Sequence, residues 1–207
     1  MMLHEGRRHM NFNNRRCILE GEPIHLVMGD ENVNPLIAIQ DEVRTHFGWD
    51  LQADIESAKA MQSAFAIDSP FGLSKWNTEV RNQVLGALQI KLLKAHAVIF
   101  VGAAVNSGEL EEMVGEGVVF IAADGAVGAI PKEADLACIV SDFDGTPHLE
   151  QAAKKGVTII AHAHGDNVGS WNESVNKWSH YSNPPCLILS HQTANHFTGM
   201  HNWGGFT

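Results

Sequence analysis

The chain is short of cysteine, of basic residues and of long apolar runs, and each shortage removes a class of protein. Cys17, Cys138 and Cys186 are odd in number and widely spaced, so neither a disulfide framework nor a paired-cysteine metal site is expected. Cys138 lies inside an apolar run and reads as core packing. Lysine and arginine together number 14 against 24 acidic residues, for a net charge of −10. That balance argues against nonspecific binding to nucleic acid or to anionic membrane, both of which rely on basic surface. Wholly apolar stretches such as Ala97 to Val101 fall far below the roughly 20 residues that cross a bilayer. The opening Met1-Met-Leu-His-Glu-Gly-Arg-Arg8 has no apolar centre of the kind a signal peptide uses. A soluble, cytoplasmic protein is expected.

What is present is an ordinary globular mixture of 207 residues, 44% hydrophobic, with 19 glycines. That is enough for one substantial core with an appended subdomain. Up to residue 94 the pattern is mainly helical. Leu51, Ile55, Ala58, Met61 and Phe65 recur at three- and four-residue spacing behind a capping Asp50, and Val80, Val84, Leu88, Lys91 and Leu92 repeat the logic between Asn77 and Ala95. From residue 95 short β-branched runs alternate with helix-length segments. Strands are predicted at 97–101, 118–122, 136–141, 157–161 and 186–190, and helices at 107–114, 146–155 and 170–180. This alternation predicts an α/β fold, a Rossmann-like, doubly wound, mainly parallel sheet over 95–207, behind an N-terminal helical subdomain over 1–94.

In such a sheet ligands bind at the carboxyl ends of the strands. Two strands end in chemistry: Ile139-Val-Ser-Asp142-Phe-Asp144-Gly145 and Ile159-Ile-Ala-His162-Ala-His164-Gly-Asp166-Asn167. Three carboxylates and two imidazoles would meet in one crevice, and like charges so crowded favour a bound divalent cation. Other readings stay open at this point. Asp142-Phe-Asp144-Gly145-Thr146 equals the nucleophile motif of haloacid-dehalogenase-type phosphatases, although the remaining chain lacks that family's later acidic pair. His162-Ala-His164-Gly-Asp166 matches the zinc spacing of metallo-β-lactamase-fold hydrolases, with Asn167 where a further His normally follows. The Gly102-Ala-Ala-Val-Asn-Ser107 turn reads as a nucleotide-binding turn or a plain strand-to-helix turn, and lacks a full dinucleotide fingerprint.

Taken in order, Ala123-Asp124-Gly125-Ala126, Ser141-Asp142-Phe143-Asp144-Gly145, His162-Ala-His164-Gly165-Asp166-Asn167, Gln192-Thr193 and Asn202-Trp-Gly204-Gly205-Phe206-Thr207 resemble the archaeal 6-hydroxymethyl-7,8-dihydropterin pyrophosphokinase (MptE-like) family. More distantly, the first two resemble thiamine pyrophosphokinase. His46-Phe-Gly-Trp-Asp50 and Asp54 are similar to the N-terminal part of the MptE-like family. The resemblance implies ATP and Mg²⁺, a hydroxymethylpterin acceptor, and AMP with the pterin diphosphate as products. It implies Asp142, Asp144 and Asp166 as metal ligands, with His164, Asp166 and Asp142 catalytic. Gly102, Asp124, Asn167, Gln192, Thr193 and Asn202 would line the nucleotide or pterin pocket. The family usually has G-x-G-P-S-L after its first strand and continues past Gly-Gly-Phe-Thr with Asp-Gly-Asp-Arg. Either this chain is truncated relative to it or the site is incomplete. A metal-dependent hydrolase and a non-catalytic nucleotide-binding module are the alternatives, and homo-oligomerisation is left open.

Overall fold

Asp50 sets the start of the first long helix, its side chain accepting the Gln52 N–H at 2.8 Å and so satisfying one of the free amides of the first turn. The structure, a computed structural model, describes residues 42–165 and 167–202. Helix α1 (Leu51–Phe65) buries Asp54, Ser57, Ala58, Met61 and Phe65. Leu51, expected on that stripe, is 42% exposed, and the polar Asp54 and Ser57 hold the buried places at this end. The neighbours explain the exchange: Met61 and Phe65 meet an apolar face, whereas Asp54 and Ser57 meet a polar turn. Helix α2 (Thr78–Lys94) is capped by Asn77, whose Oδ1 accepts the Val80 N–H at 2.9 Å.

The expected α/β fold with a parallel sheet is present. Strands β1 (Ala97–Val101), β2 (Val118–Ala123), β3 (Asp135–Ser141), β4 (Ile159–Ala163), β5 (Leu187–His191) and the two-residue β6 (His201–Asn202) all pair in parallel. Between them lie α3 (Ser107–Leu110), a 3₁₀ segment at Asp124–Ala129, α4 (His148–Lys154) and α5 (Val168–Trp178). Strand β4 begins two residues later than the sequence predicts. Gly156, at φ 76°, ends the preceding helix, and Val157 and Thr158 carry the chain up to the sheet. That shift takes His162 into the strand and leaves His164 just beyond its end.

The strand order is sequential, β1 to β6, so the sheet winds in one direction without a reversal. Right-handed crossovers in one direction put all crossover helices on the same face. Leu149, Ala152 and Ala153 of α4 and Trp171, Val175 and Trp178 of α5 accordingly join one cluster with Ile159, Ala161, Leu187 and Leu189, which α1 completes through Met61 and Phe65. The opposite face would stand bare. Helix α2 covers it, packing Leu88 with Val84, Leu85 and Leu92 against Val119, Ile121, Cys138, Ile160 and Ile188. The helices before residue 95 thus complete both faces of the sheet. No helix among the described residues is long and apolar enough to cross a membrane.

If α2 belongs to the sheet's core, two leucines on it must behave differently. Leu88→Ala, at 7% exposure, is expected to lower stability by about 2–4 kcal/mol. Leu93→Ala, at 86% exposure, is expected to change it by less than about 0.5 kcal/mol. Urea unfolding of the two variants measures the contrast.

Candidate active site

The turn after β3 is shaped by a residue that faces away from the site. Phe143 is buried, stacks on Trp178 with ring centroids 5.6 Å apart, and takes a positive φ of 79°, a costly conformation for a bulky side chain. Its backbone N–H donates to Ser141 Oγ at 3.0 Å, and the Ser141 hydroxyl in turn donates to Asp124 Oδ1 at 2.5 Å. With Phe143 anchored in the core, Asp142 and Asp144 project on either side of it at the carboxyl edge.

The neighbouring turn after β2 comes in closely because both turns carry glycine where they touch. A Cβ on Gly145 would meet the Gly125 nitrogen, and would lie 2.8 Å from the Asp124 carbonyl carbon. This contact brings Asp124, at φ 44°, against Asp142, whose backbone N–H it accepts at 3.2 Å. Ligand oxygens of Asp124, Asp142 and Asp144 all lie within 4.8 Å of one another. Among the described residues the acidic group adds Asp124 to Asp142 and Asp144, and Asp166 lies outside the described residues.

Crowding shows in the acidities. His164 Nε2 lies 3.1 Å from Asp142 Oδ2 and holds the Asp142 carboxyl well below the usual carboxylate range. Burial, reinforced by Asp142, pushes Asp124 up to about 7. The negative charge of Asp142 also raises Asp144. Asp142 Oδ1 is buried and has no hydrogen-bond partner among the described residues. Two carboxylates facing each other with an unspent oxygen hold either a proton or a cation between them. Carboxylate oxygens alone are hard ligands that suit Mg²⁺ or Mn²⁺ better than zinc.

The imidazoles divide their tasks. His162 is buried in β4, with Nδ1 2.9 Å from Ser190 Oγ and Nε2 3.5 Å from Gln192 Oε1. Both ring nitrogens face protein partners, and among the described residues neither imidazole joins the cation-competent group. His164, beyond the strand end, instead touches Asp142.

Asn167 locks this edge: its Nδ2 donates to the carbonyls of His162 at 2.8 Å and Asp142 at 3.2 Å, while Oδ1 accepts from Ser57 Oγ and the His164 N–H. The amide is spent on the chain itself. Asp54 does similar work from α1, accepting the Gly165 N–H at 2.6 Å and Gln192 Nε2 at 3.0 Å on one oxygen and Arg44 at 3.2 Å on the other. Thr193 is buried and bonds His191 Nδ1 through its N–H and hydroxyl, and Asn202 Nδ2 donates to the Thr193 carbonyl. These two shape the last loops.

Two pockets of about 550 Å³ each flank the acidic group. The first is lined by Gly48, Trp49, Asp50, Ala53 and Asp54 from the start of α1, and by Asp142, His162, His164, Gly165 and Gln192 from the strand ends. The second holds Asp124 and Asp144 with Ala103, Asn106, Gly125, Gly128, Gly145 and His148 among its walls. Gly102 lines neither, although Ala103 beside it does. Sequence reasoning quoted Trp49, Asp50, Asp54 and Ser141 within motifs without giving them a place in the site, and missed Ser57. The available signal was Asp54 itself, an acidic residue in helical register with Ala58, Met61 and Phe65.

Two predictions follow from this geometry. Gly145→Ala forces the two turns apart, and is expected to cost about 1–3 kcal/mol in chemical unfolding and to abolish divalent-cation binding measured by calorimetry. Burial lowers both His162 and His191 from 6.5 to about 4, so the unfolded chain takes up protons first as pH falls. Stability contributed by these neutral rings is complete above about 6.5 and is lost as pH falls toward 4. His191→Asn, which keeps an acceptor for the Thr193 N–H, is expected to reduce the loss between pH 7 and 5 by on the order of 1–2 kcal/mol in urea titrations.

No protein-family model matches the chain. It is 28% identical over 172 residues to the 6-hydroxymethyl-7,8-dihydropterin pyrophosphokinase of Methanocaldococcus jannaschii, an alignment that covers 81% of this chain and 66% of that protein. The chain is thus distantly similar to a pyrophosphokinase, and spans just under two thirds of the length of that relative.

Proposed function

We propose that the chain transfers a pyrophosphoryl group from ATP to the hydroxymethyl oxygen of 6-hydroxymethyl-7,8-dihydropterin in a Mg²⁺-dependent reaction, giving AMP and the pterin diphosphate. The observation that carries this reading is the acidic group of Asp124, Asp142 and Asp144, standing as the wall between two pockets of similar size with His164 against it. Two substrates that exchange a phosphoryl chain need two seats and one shared charged centre. The distant similarity to a pterin pyrophosphokinase supports the same choice.

Asp124, Asp142 and Asp144 would hold the ion, together with Asp166 if its carboxylate turns to the same centre. When bound, Mg²⁺ supplies charge neutralisation to the phosphoryl oxygens. The protein's part is positioning and proton transfer. The acceptor oxygen forms a bond to the β-phosphorus, the bond from that phosphorus to the α,β-bridging oxygen breaks, and the bridging oxygen leaves on AMP. His164 would take the hydroxyl proton, and Asp142 would stabilise the resulting imidazolium. Gln192 lies on the acceptor side, and Asp124 on the nucleotide side with Ala103 and Asn106. Thr193, Asn202 and Asn167 would act by holding the loops.

The test pairs turnover with cation binding. Asp142→Asn is expected to reduce AMP formation from ATP and hydroxymethyldihydropterin by on the order of 100-fold or more, with the circular dichroism spectrum kept. In the wild type, Mg²⁺ displaces the proton that Asp124 retains with its pKa near 7, so cation-induced stabilisation should grow between pH 5.5 and 7.5. Asp142→Asn should remove that growth. Wild-type turnover in the variant would end the assignment, and stabilisation by MgATP with no AMP from the wild type would reduce the protein to a binding module.

A further inference from the structure

The first pocket has walls of two kinds, and they differ from those of the second. Trp49 lines it, 48% exposed, with Phe47 stacked on it at 5.1 Å between centroids and an interplanar angle of 19°. Ala53 adds an apolar surface, and Gly48 and Gly165, both at positive φ, line it with backbone. The rest of the lining includes polar groups whose orientation is set by the chain. Ser190 fixes the His162 ring through Nδ1, and Asp54 fixes the Gln192 amide through Nε2. Asp50, with one oxygen engaged at the cap of α1, completes the rim.

An aromatic surface in one pocket with donors and acceptors held in place is the chemistry that recognises a flat, uncharged heterocycle bearing ring N–H and carbonyl groups. It suits a phosphoryl chain poorly, because Asp50, Asp54 and Asp142 all line the pocket and no lysine or arginine does among the described residues. Burial keeps His162 neutral at physiological pH, so it adds no charge to the pocket wall, while its two ring nitrogens are engaged by Ser190 and Gln192. A volume of about 550 Å³ sits within the usual range for small-molecule sites and holds a bicyclic ring with room for a substituent.

We propose that this pocket seats the ring of the acceptor, stacked on Trp49 and read at its polar edge by Asp50 and by the Gln192 amide that His162 and Asp54 hold in place, with the substituent directed at Asp142 and His164. This rests on the transfer reading above for the acceptor's identity, and makes Trp49 and Ala53 determinants of acceptor binding that leave nucleotide binding alone. Both belong to the segment that begins α1, so acceptor selection would be set outside the sheet.

The experiment uses the full chain with 6-hydroxymethylpterin as probe, followed by its own fluorescence, and MgATP followed by calorimetry. Trp49→Ala is expected to weaken pterin binding on the order of ten- to a hundredfold, as loss of an aromatic platform does, while MgATP affinity stays within about twofold. Trp49→Phe should recover most of the pterin affinity. Ala53→Leu, which narrows the pocket from a helix position that tolerates leucine, should weaken pterin and spare MgATP in the same way. Unchanged pterin affinity in both the Trp49→Ala and Ala53→Leu variants, or a selective loss of MgATP, overturns the proposal. Its failure is separable from that of the transfer reading. Trp49-dependent pterin binding by a protein that forms no AMP keeps the subsite and removes the reaction, whereas normal AMP formation with an unaltered acceptor KM in Trp49→Ala removes the subsite and keeps the reaction.

Discussion

Asp124 and Asp142 are pressed together by the backbone, and the rest of the site is arranged around that crowding. Two unit charges about 4 Å apart near a protein surface repel by about 4 kcal/mol, a large share of the roughly 5–15 kcal/mol by which a domain is stable. The turns after β2 and β3 could relax apart if either Gly125 or Gly145 carried a side chain in the way, yet they touch through bare backbone. Phe143, locked in the core against Trp178, prevents the second turn from rotating to relieve the repulsion. The conflict is met chemically instead: Asp124, pushed up to about 7, holds its proton below neutral pH, and His164 steadies the charge on Asp142. An ion that replaces the proton would relieve the same conflict, which makes the acidic group a place where ligand binding and stability are linked.

Helix α1 turns this local conflict into a defined site. Asp54 and Ser57 reach from its buried stripe to Gly165 and Asn167, so the turn that carries His164 is held from the helix side as well as from the sheet. The Asp54–Arg44 pair is buried, and removing one member of such a pair leaves the other charge without compensation. An apolar pair would fill that space with less desolvation. A carboxylate there instead accepts three different donors at once, and that fixes Gly165, Gln192 and Arg44 relative to one another.

The fold class was legible because periodicity is local: alternating β-branched runs and helix-length segments mark a parallel sheet wherever the strands lie. Strand order was not legible, since a crossover to the left and one to the right have the same hydrophobic pattern. The strand ends Asp142, Asp144 and His164 were found for the same local reason, each following an apolar run. Asp124 as a partner of Asp142 was hidden, because it depends on two glycines from different turns meeting in space. Asn167 looked like a ligand residue, but its amide bridges three backbone groups and a serine, a role that only the packed structure exposes. His191 illustrates the same limit: it is buried with its ring edge-on to Phe197, a place that only the packed structure reveals.

Sequential winding changes where a binding crevice can form. In a sheet whose strand order reverses, adjacent crossovers leave on opposite faces and a cleft opens between them. Here the crossovers share one face and no such cleft arises from topology. Depth at the carboxyl edge has to be supplied by something standing above it, and α1 does so by leaning its first turn over the ends of β4 and β5, where Trp49, Asp50, Ala53 and Asp54 become one wall of a pocket whose other wall is strand ends. The second pocket obtains its depth differently, from the Asp124–Ala129 turn folded against His148, where a Cβ on Gly128 would collide with the imidazole. Among the described residues the two cavities share no lining residue and adjoin at the acidic wall. A substitution in the wall of Asp124, Asp142 and Asp144 bears on both cavities, since Asp142 lines the first and Asp124 and Asp144 the second.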